Sequence, residues 1–159
     1  MWREREGAPL SLDTTALLHQ YGTTCAASLQ LLQALRSGTG ARPRAQALDS
    51  LLRRLIANET WIGQWWGSEP LLLARAWETL GDPARALAAV QLGPQGMYVP
   101  PLLATALREE GRLSVLQGDT ARAIRAYRRY LEFRRDAEPS MIPQRDSVLA
   151  ALGKLQPHR

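Results

Sequence analysis

The sequence predicts an all-α chain of antiparallel helix pairs stacked side by side and closed by a C-terminal capping helix. Three observations carry this. A phrase recurs, Leu80-Gly81-Asp82-Pro83-Ala84-Arg85-Ala86-Leu87 and Gln117-Gly118-Asp119-Thr120-Ala121-Arg122-Ala123-Ile124, with 37 residues between Gly81 and Gly118. A period in that range marks repeated supersecondary units rather than one enzyme core. Apolar residues around each copy return at three- and four-residue intervals, the signature of amphipathic helices. Gly and Pro cluster between those stretches, where turns are needed.

Taken in order, residues 1–11 show no period and are expected to form a flexible arm. A single domain is expected over residues 12–155, and 156–159 form a tail. Asp13 or Thr14 can cap a helix carrying Leu17, Leu18, Tyr21, Cys25, Leu29, Leu32 and Leu35, running to about Arg36 and ended by Ser37-Gly38-Thr39-Gly40. A second helix after Pro43 presents Ala47, Leu48, Leu51, Leu52, Leu55 and Ile56. Together with a Trp-rich segment these make residues 12–66 a degenerate first pair. Trp61, Trp65 and Trp66 either fill a wedge between helix pairs or form an aromatic anchor for a partner protein.

Residues 69–92 form the first clear unit. Ser68 is expected to cap its first helix, Pro70 lies in the first turn, and Leu73, Ala74, Trp77 and Leu80 share a face. Gly81 turns the chain, Asp82 caps the return helix, and Ala86, Leu87 and Val90 face back. A loop rich in turn formers, Gly93 to Pro101, leads to the second unit, residues 101–135. That unit carries Leu103, Leu107, Gly111 and Ser114 to Leu116, then Ala123, Ile124, Tyr127, Tyr130 and Leu131. Residues 139–155 complete the chain as a capping helix with Val148, Leu149, Leu152 and Leu155 on its inner face.

The residues of both units resemble tetratricopeptide repeats. Leu73, Ala74, Trp77, Gly81 and Ala86, then Leu107, Gly111, Gly118, Ala123 and Tyr127, stand where that family places its large, small, aromatic and turn residues. The departures are the 37-residue spacing in place of 34, Ser114 where an aromatic is common, and the lack of a proline closing either unit. Residues 71–155 are similar to helical repeat regions that close bacterial multidomain regulators, including serine/threonine kinases and transcriptional activators. The resemblance implies a short TPR-like solenoid, and no kinase signature accompanies it.

Composition narrows the function classes. The chain has 159 residues, 45% hydrophobic and 22% charged, within the globular range. Lys154 is the only lysine among 20 Lys+Arg, the net charge is +5, and the arginine and alanine bias suggests a GC-rich bacterial source. Cys25 is alone, so no internal disulfide is available. The charged start lacks an apolar leader, and the expected location is cytoplasmic, with peripheral contact at the inner membrane as an extension. His19 and His158 have no metal-ligand neighbours, and no Gly-rich phosphate loop or nucleophile elbow occurs. Catalytic residues, cofactors and metals are therefore expected to be none.

The expected role is a non-catalytic protein-interaction scaffold. Its alternatives are an accessory subunit of a larger, membrane-associated complex and a sensory module of a signalling or transcription regulator. Candidate partner-binding residues are Arg75, Glu78, Arg108 and Arg112 on the first helices of the pairs, together with Trp2, Trp61, Trp65 and Trp66. Arg122, Arg125, Arg128 and Arg129 add a basic ridge, opposed on its helix only by Glu132. The expected partner is a protein with an acidic surface, with an anionic membrane second and nucleic acid least supported for want of a reader motif.

Overall fold

The computed structural model describes residues 14–57, 68–92 and 102–156, and is all-α over them. The arm, Trp2, the cluster Trp61, Trp65 and Trp66, the loop from Gly93 to Pro101 and the last three residues lie outside the described residues. Seven α-helices and a 3-10 turn follow one another: α1 Thr14–Ser37, α2 Ala41–Ala57, α3 Glu69–Thr79, α4 Pro83–Val90, α5 Leu103–Leu116, α6 Thr120–Phe133, the turn Pro139–Met141 and α7 Ile142–Leu155. Successive helices pack as pairs α1 with α2, α3 with α4 and α5 with α6. Between pairs, α2 meets α3, α4 meets α5, and α1 also touches α3.

The repeated phrase builds the same joint twice. Gly81 and Gly118 take φ values of 74° and 73°, the left-handed region that glycine enters without a Cβ penalty. The Gly81 amide donates to the Glu78 carbonyl (3.0 Å) and the Asp82 amide to the Trp77 carbonyl (2.8 Å). In the second copy Gly118 donates to Val115 (3.0 Å) and Asp119 to Ser114 (2.9 Å). This pair of bonds is the Schellman closure, which satisfies the last carbonyls of a helix. The same aspartates then cap the next helix: Asp82 accepts from the Arg85 amide at 3.1 Å and Asp119 from the Arg122 amide at 3.0 Å. Asp82→Ala and Asp119→Ala are each expected to cost about 0.5 to 2 kcal/mol in urea unfolding, with the asparagine variants nearer wild type.

Several local expectations are corrected. The first helix is not continuous, because Gly22 (φ 80°, ψ 172°) breaks the helical path inside α1. The second helix begins at Ala41, ahead of Pro43, and its buried stripe is Ala41, Ala45, Leu48 and Leu52; Ala47 and Ile56 face solvent. Ser68 occupies the N-cap position of α3 in a helical conformation (φ −86°, ψ −1°) and makes no capping bond. A side-chain cap needs the extended backbone that Asp82 approaches and Ser68 does not. On α7 Val148 and Leu152 are buried and Leu155 packs partly buried against the same core, while Leu149 is 56% exposed; Val115 and Leu116 at the end of α5 are also exposed.

Buried side chains fall into two clusters. One joins Leu31, Leu48, Leu52, Leu73, Trp77, Leu87 and Val90 from the first two pairs and takes in Leu113 of α5. The other joins Ala104, Leu107, Tyr127, Tyr130, Val148 and Leu152 from α5, α6 and α7. At the centre of the first, Trp77 is 1% exposed. The guanidinium of Arg85 lies 4.7 Å from its ring centroid and that of Arg42 5.8 Å, within cation–π range. Arg42 also donates from Nη2 to the Leu80 carbonyl (3.0 Å), so α2 braces the end of α3.

Candidate functional groove

The first helices of the three pairs share one recess. Leu32 of α1, Leu71, Leu72, Arg75 and Glu78 of α3, and Thr105, Arg108, Glu109 and Arg112 of α5 line a cavity of about 370 Å³. Its floor is aliphatic and its rim charged. The period places Arg75 and Arg112 37 residues apart, at equivalent positions of the two units. Arg75, Glu78, Arg108 and Arg112, the four helix residues singled out from the sequence, are brought together here.

They are not four independent contacts. Arg112 donates from Nη1 and Nη2 to the two carboxylate oxygens of Glu78, both at 2.7 Å, and from Nε to Glu109 at 2.8 Å. Arg108 donates from Nη2 to the other oxygen of Glu109 at 3.0 Å. The forked geometry is the strong form of a guanidinium–carboxylate pair and ties α3 to α5 across the groove. The Arg75 guanidinium makes no side-chain hydrogen bond or close ion pair among the described residues, although its charge helps hold the Glu78 carboxyl down.

The hydrogen bonds from Arg112 hold the Glu78 carboxyl below its ordinary value of 4.5, against a smaller opposing effect of burial. The Arg112 guanidinium is in turn raised, first by its bond to Glu78. A carboxyl with a depressed folded-state pKa contributes stability above its unfolded value, and that contribution disappears as pH falls through the folded value. Both side chains are about a third exposed, so solvent screening limits the pair to about 0.2 to 1 kcal/mol. Glu78→Gln is therefore expected to lower stability slightly at pH 7 and to flatten its loss below about pH 4.5, read from urea midpoints across pH 3 to 7.

The basic ridge divides in two. Arg122, Arg125 and Arg129 of α6 line a second cleft of about 350 Å³, whose other wall carries Gln91, Leu107 and Glu110. Arg128 is not among the lining residues; it is exposed, as are Arg125 and Arg129. Arg122 is held from Nε by Asp119 at 3.0 Å, and Gln91 donates to Glu110 at 3.2 Å.

Read from the sequence, Glu109 and Glu110 are solvated carboxylates, whereas in the fold Glu109 pairs with Arg108 and Arg112 and Glu110 accepts from the Gln91 amide. The i to i+3 spacing of Glu109 and Arg112 is the available signal. Sequence reasoning also misses Leu32, Leu71, Leu72 and Thr105 as groove residues; Leu71 and Leu72 pack against the first core as well as lining the recess, so their apolar character alone gives no separate signal. Among the described residues no group of three or more His, Cys, Asp and Glu gathers as for a metal, and no helix is long and apolar enough to cross a membrane. Neither protein-family models, nor curated proteins, nor solved structures provide a match to the chain.

Proposed function

We propose that this chain is a non-catalytic, TPR-like scaffold that receives an extended segment of a partner protein in the groove of α1, α3 and α5. The observation that carries the reading is the groove itself: three first helices share one recess lined by Leu32, Leu71 and Leu72, and the Arg75 guanidinium lines it without a close ion pair among the described residues. Apolar side chains of a peptide bury against Leu32, Leu71 and Leu72, while Arg75 selects a carboxylate. The Glu78–Arg112–Glu109 network fixes the groove walls before the ligand arrives, which reduces the ordering cost of binding. The doubled joint supports the stacked-pair architecture, since it places equivalent residues of successive units at equivalent positions.

A second reading is an accessory subunit of a larger complex, favoured by exposed Leu149, Ile142 and Phe133 toward the C-terminal end of the chain. Panning a random peptide library against the full chain separates the two. The groove reading expects binders that lose about tenfold or more in affinity to Thr105→Trp, which fills the recess from a half-buried position. It also expects their acidic residues to depend on Arg75. Binders indifferent to both changes, or no binders at all, would leave the groove without a role and favour the subunit reading.

A further inference from the structure

The second cleft, between the end of α4 and the paired α5 and α6, is separate from the groove and has a composition that the fold does not require. Shifted back by one 37-residue period, Arg122 corresponds to Arg85, but Arg125 corresponds to Ala88 and Arg129 to Leu92. The arginines that recur share a structural role, since Arg85 and Arg122 each follow a capping aspartate and pair with it. The two that do not recur have no ion-pair or hydrogen-bond partner among the described residues.

Arg125 and Arg129 are four residues apart on α6 and therefore neighbours on one helix face. Both reach the same cleft, with Arg122 one turn earlier. Arg122 is offset by Asp119, so Arg125 and Arg129 share the cleft with Glu110, the one carboxylate of its lining, itself engaged by the Gln91 amide. Two unpaired forks match the charge of a dianion and the several acceptor oxygens of a tetrahedral phosphate better than one carboxylate does. The Arg125 and Arg129 side chains are exposed at the edge of the cleft, whose lining also includes Leu107 and Ala126. A membrane-binding helix needs a broad apolar face beside its cations, and none lines this cleft.

We propose that this cleft is a binding site for a phosphate monoester carried by a protein partner, read by the forked guanidiniums of Arg125 and Arg129 with Arg122 in support. Glu110 sets a threshold at the site: its charge opposes anions, so the cleft favours a dianion over a single carboxylate.

The test titrates the full-length protein with N-acetyl-O-phosphoserine amide and follows backbone amide resonances by NMR. Parallel arms use the serine and aspartate analogues, inorganic phosphate, and phosphatidylserine-containing vesicles. The expected result is saturable binding of the phosphoserine compound, localised to Glu110, Arg125 and Arg129. It should weaken about tenfold or more in Arg125→Gln/Arg129→Gln and hold within about twofold in Arg128→Gln, which removes one charge of the same ridge outside the cleft. Glu110→Gln should tighten it about threefold, an isosteric change that a merely structural role would not turn into a gain. Circular dichroism confirms that each variant folds.

The proposal is overturned if the aspartate or inorganic phosphate binds as tightly as the phosphoserine compound. Equal losses in Arg128→Gln and the double variant would replace it with unspecific charge attraction. Binding to vesicles without binding to the phosphoserine compound would replace it with a membrane contact. Because Thr105→Trp leaves this cleft untouched, failure of the peptide groove and failure of the phosphate site are read separately.

Discussion

Trp77→Ala is expected to destabilise the chain by about 3 to 5 kcal/mol, the range for truncating a fully buried large aromatic. Trp77 stands where α2, α3 and α4 meet: it belongs to the larger core, and guanidiniums from α2 and α4 approach its ring. Its removal leaves a cavity between helices that the Gly81-Asp82 joint holds closely together. Against a whole-domain stability on the order of 5 to 15 kcal/mol, this loss takes a large fraction of the folded margin. The check is equilibrium urea unfolding followed by far-UV circular dichroism. Trp77→Phe should lose distinctly less, because the ring is retained and Arg85 still finds a π face. A loss below about 1 kcal/mol for the alanine variant would mean that the tryptophan is not the centre of that core.

Gly111→Ala is expected to be destabilising by about 1 to 3 kcal/mol, although alanine is the better helix former. An added Cβ would fall within the Tyr127 ring, where α5 and α6 cross. Tyr127 is itself buried, and that burial pushes its hydroxyl above the ordinary value of 10.0. The two helices must separate, or Tyr127 must leave its rotamer. The helix-propensity gain of up to about 1 kcal/mol offsets only part of this. A double-mutant cycle with Tyr127→Leu isolates the clash: the coupling should be favourable by about 1 kcal/mol or more, and additive losses would place the strain elsewhere.

These two positions also show how far the sequence could be read. Gly111 and Gly118 stand in one unit, yet they serve different needs, and the pattern alone distinguished them by their place in the frame. The glycine that turns the chain and the aspartate that caps were legible because both act on backbone atoms within five residues. Helix existence was legible for the same reason. Gly22 was not: nothing in the spacing of Leu17, Leu29 and their neighbours records a break that leaves the periodicity running on both sides. Ser68 failed as a cap because residue type allows the bond but backbone conformation decides it.

The groove network was less accessible. Glu78 and Arg112 are 34 residues apart, and their meeting depends on how α3 and α5 lie against one another, where Leu73 and Leu113 share one core. The sequence therefore nominated both residues from their helix face without indicating that they pair. Arg128 and Arg129 are adjacent in sequence, yet Arg129 lines the cleft and Arg128 does not. A ridge drawn from charge spacing cannot make that distinction, which depends on where α4 ends.

Helix α5 contributes to both cores, Leu113 to the first and Ala104 and Leu107 to the second. It therefore sets the size of the cooperative unit. In a row of elements that touch mainly their neighbours, opening spreads from an end until it reaches an element whose loss disrupts two cores at once. Opening that begins at α7, which rests on α6, can proceed through the second core, but it stalls at α5, where Leu113 would have to be drawn out of the first. Amide hydrogen exchange should accordingly slow in a step between α7 and α5 rather than decline evenly along the chain.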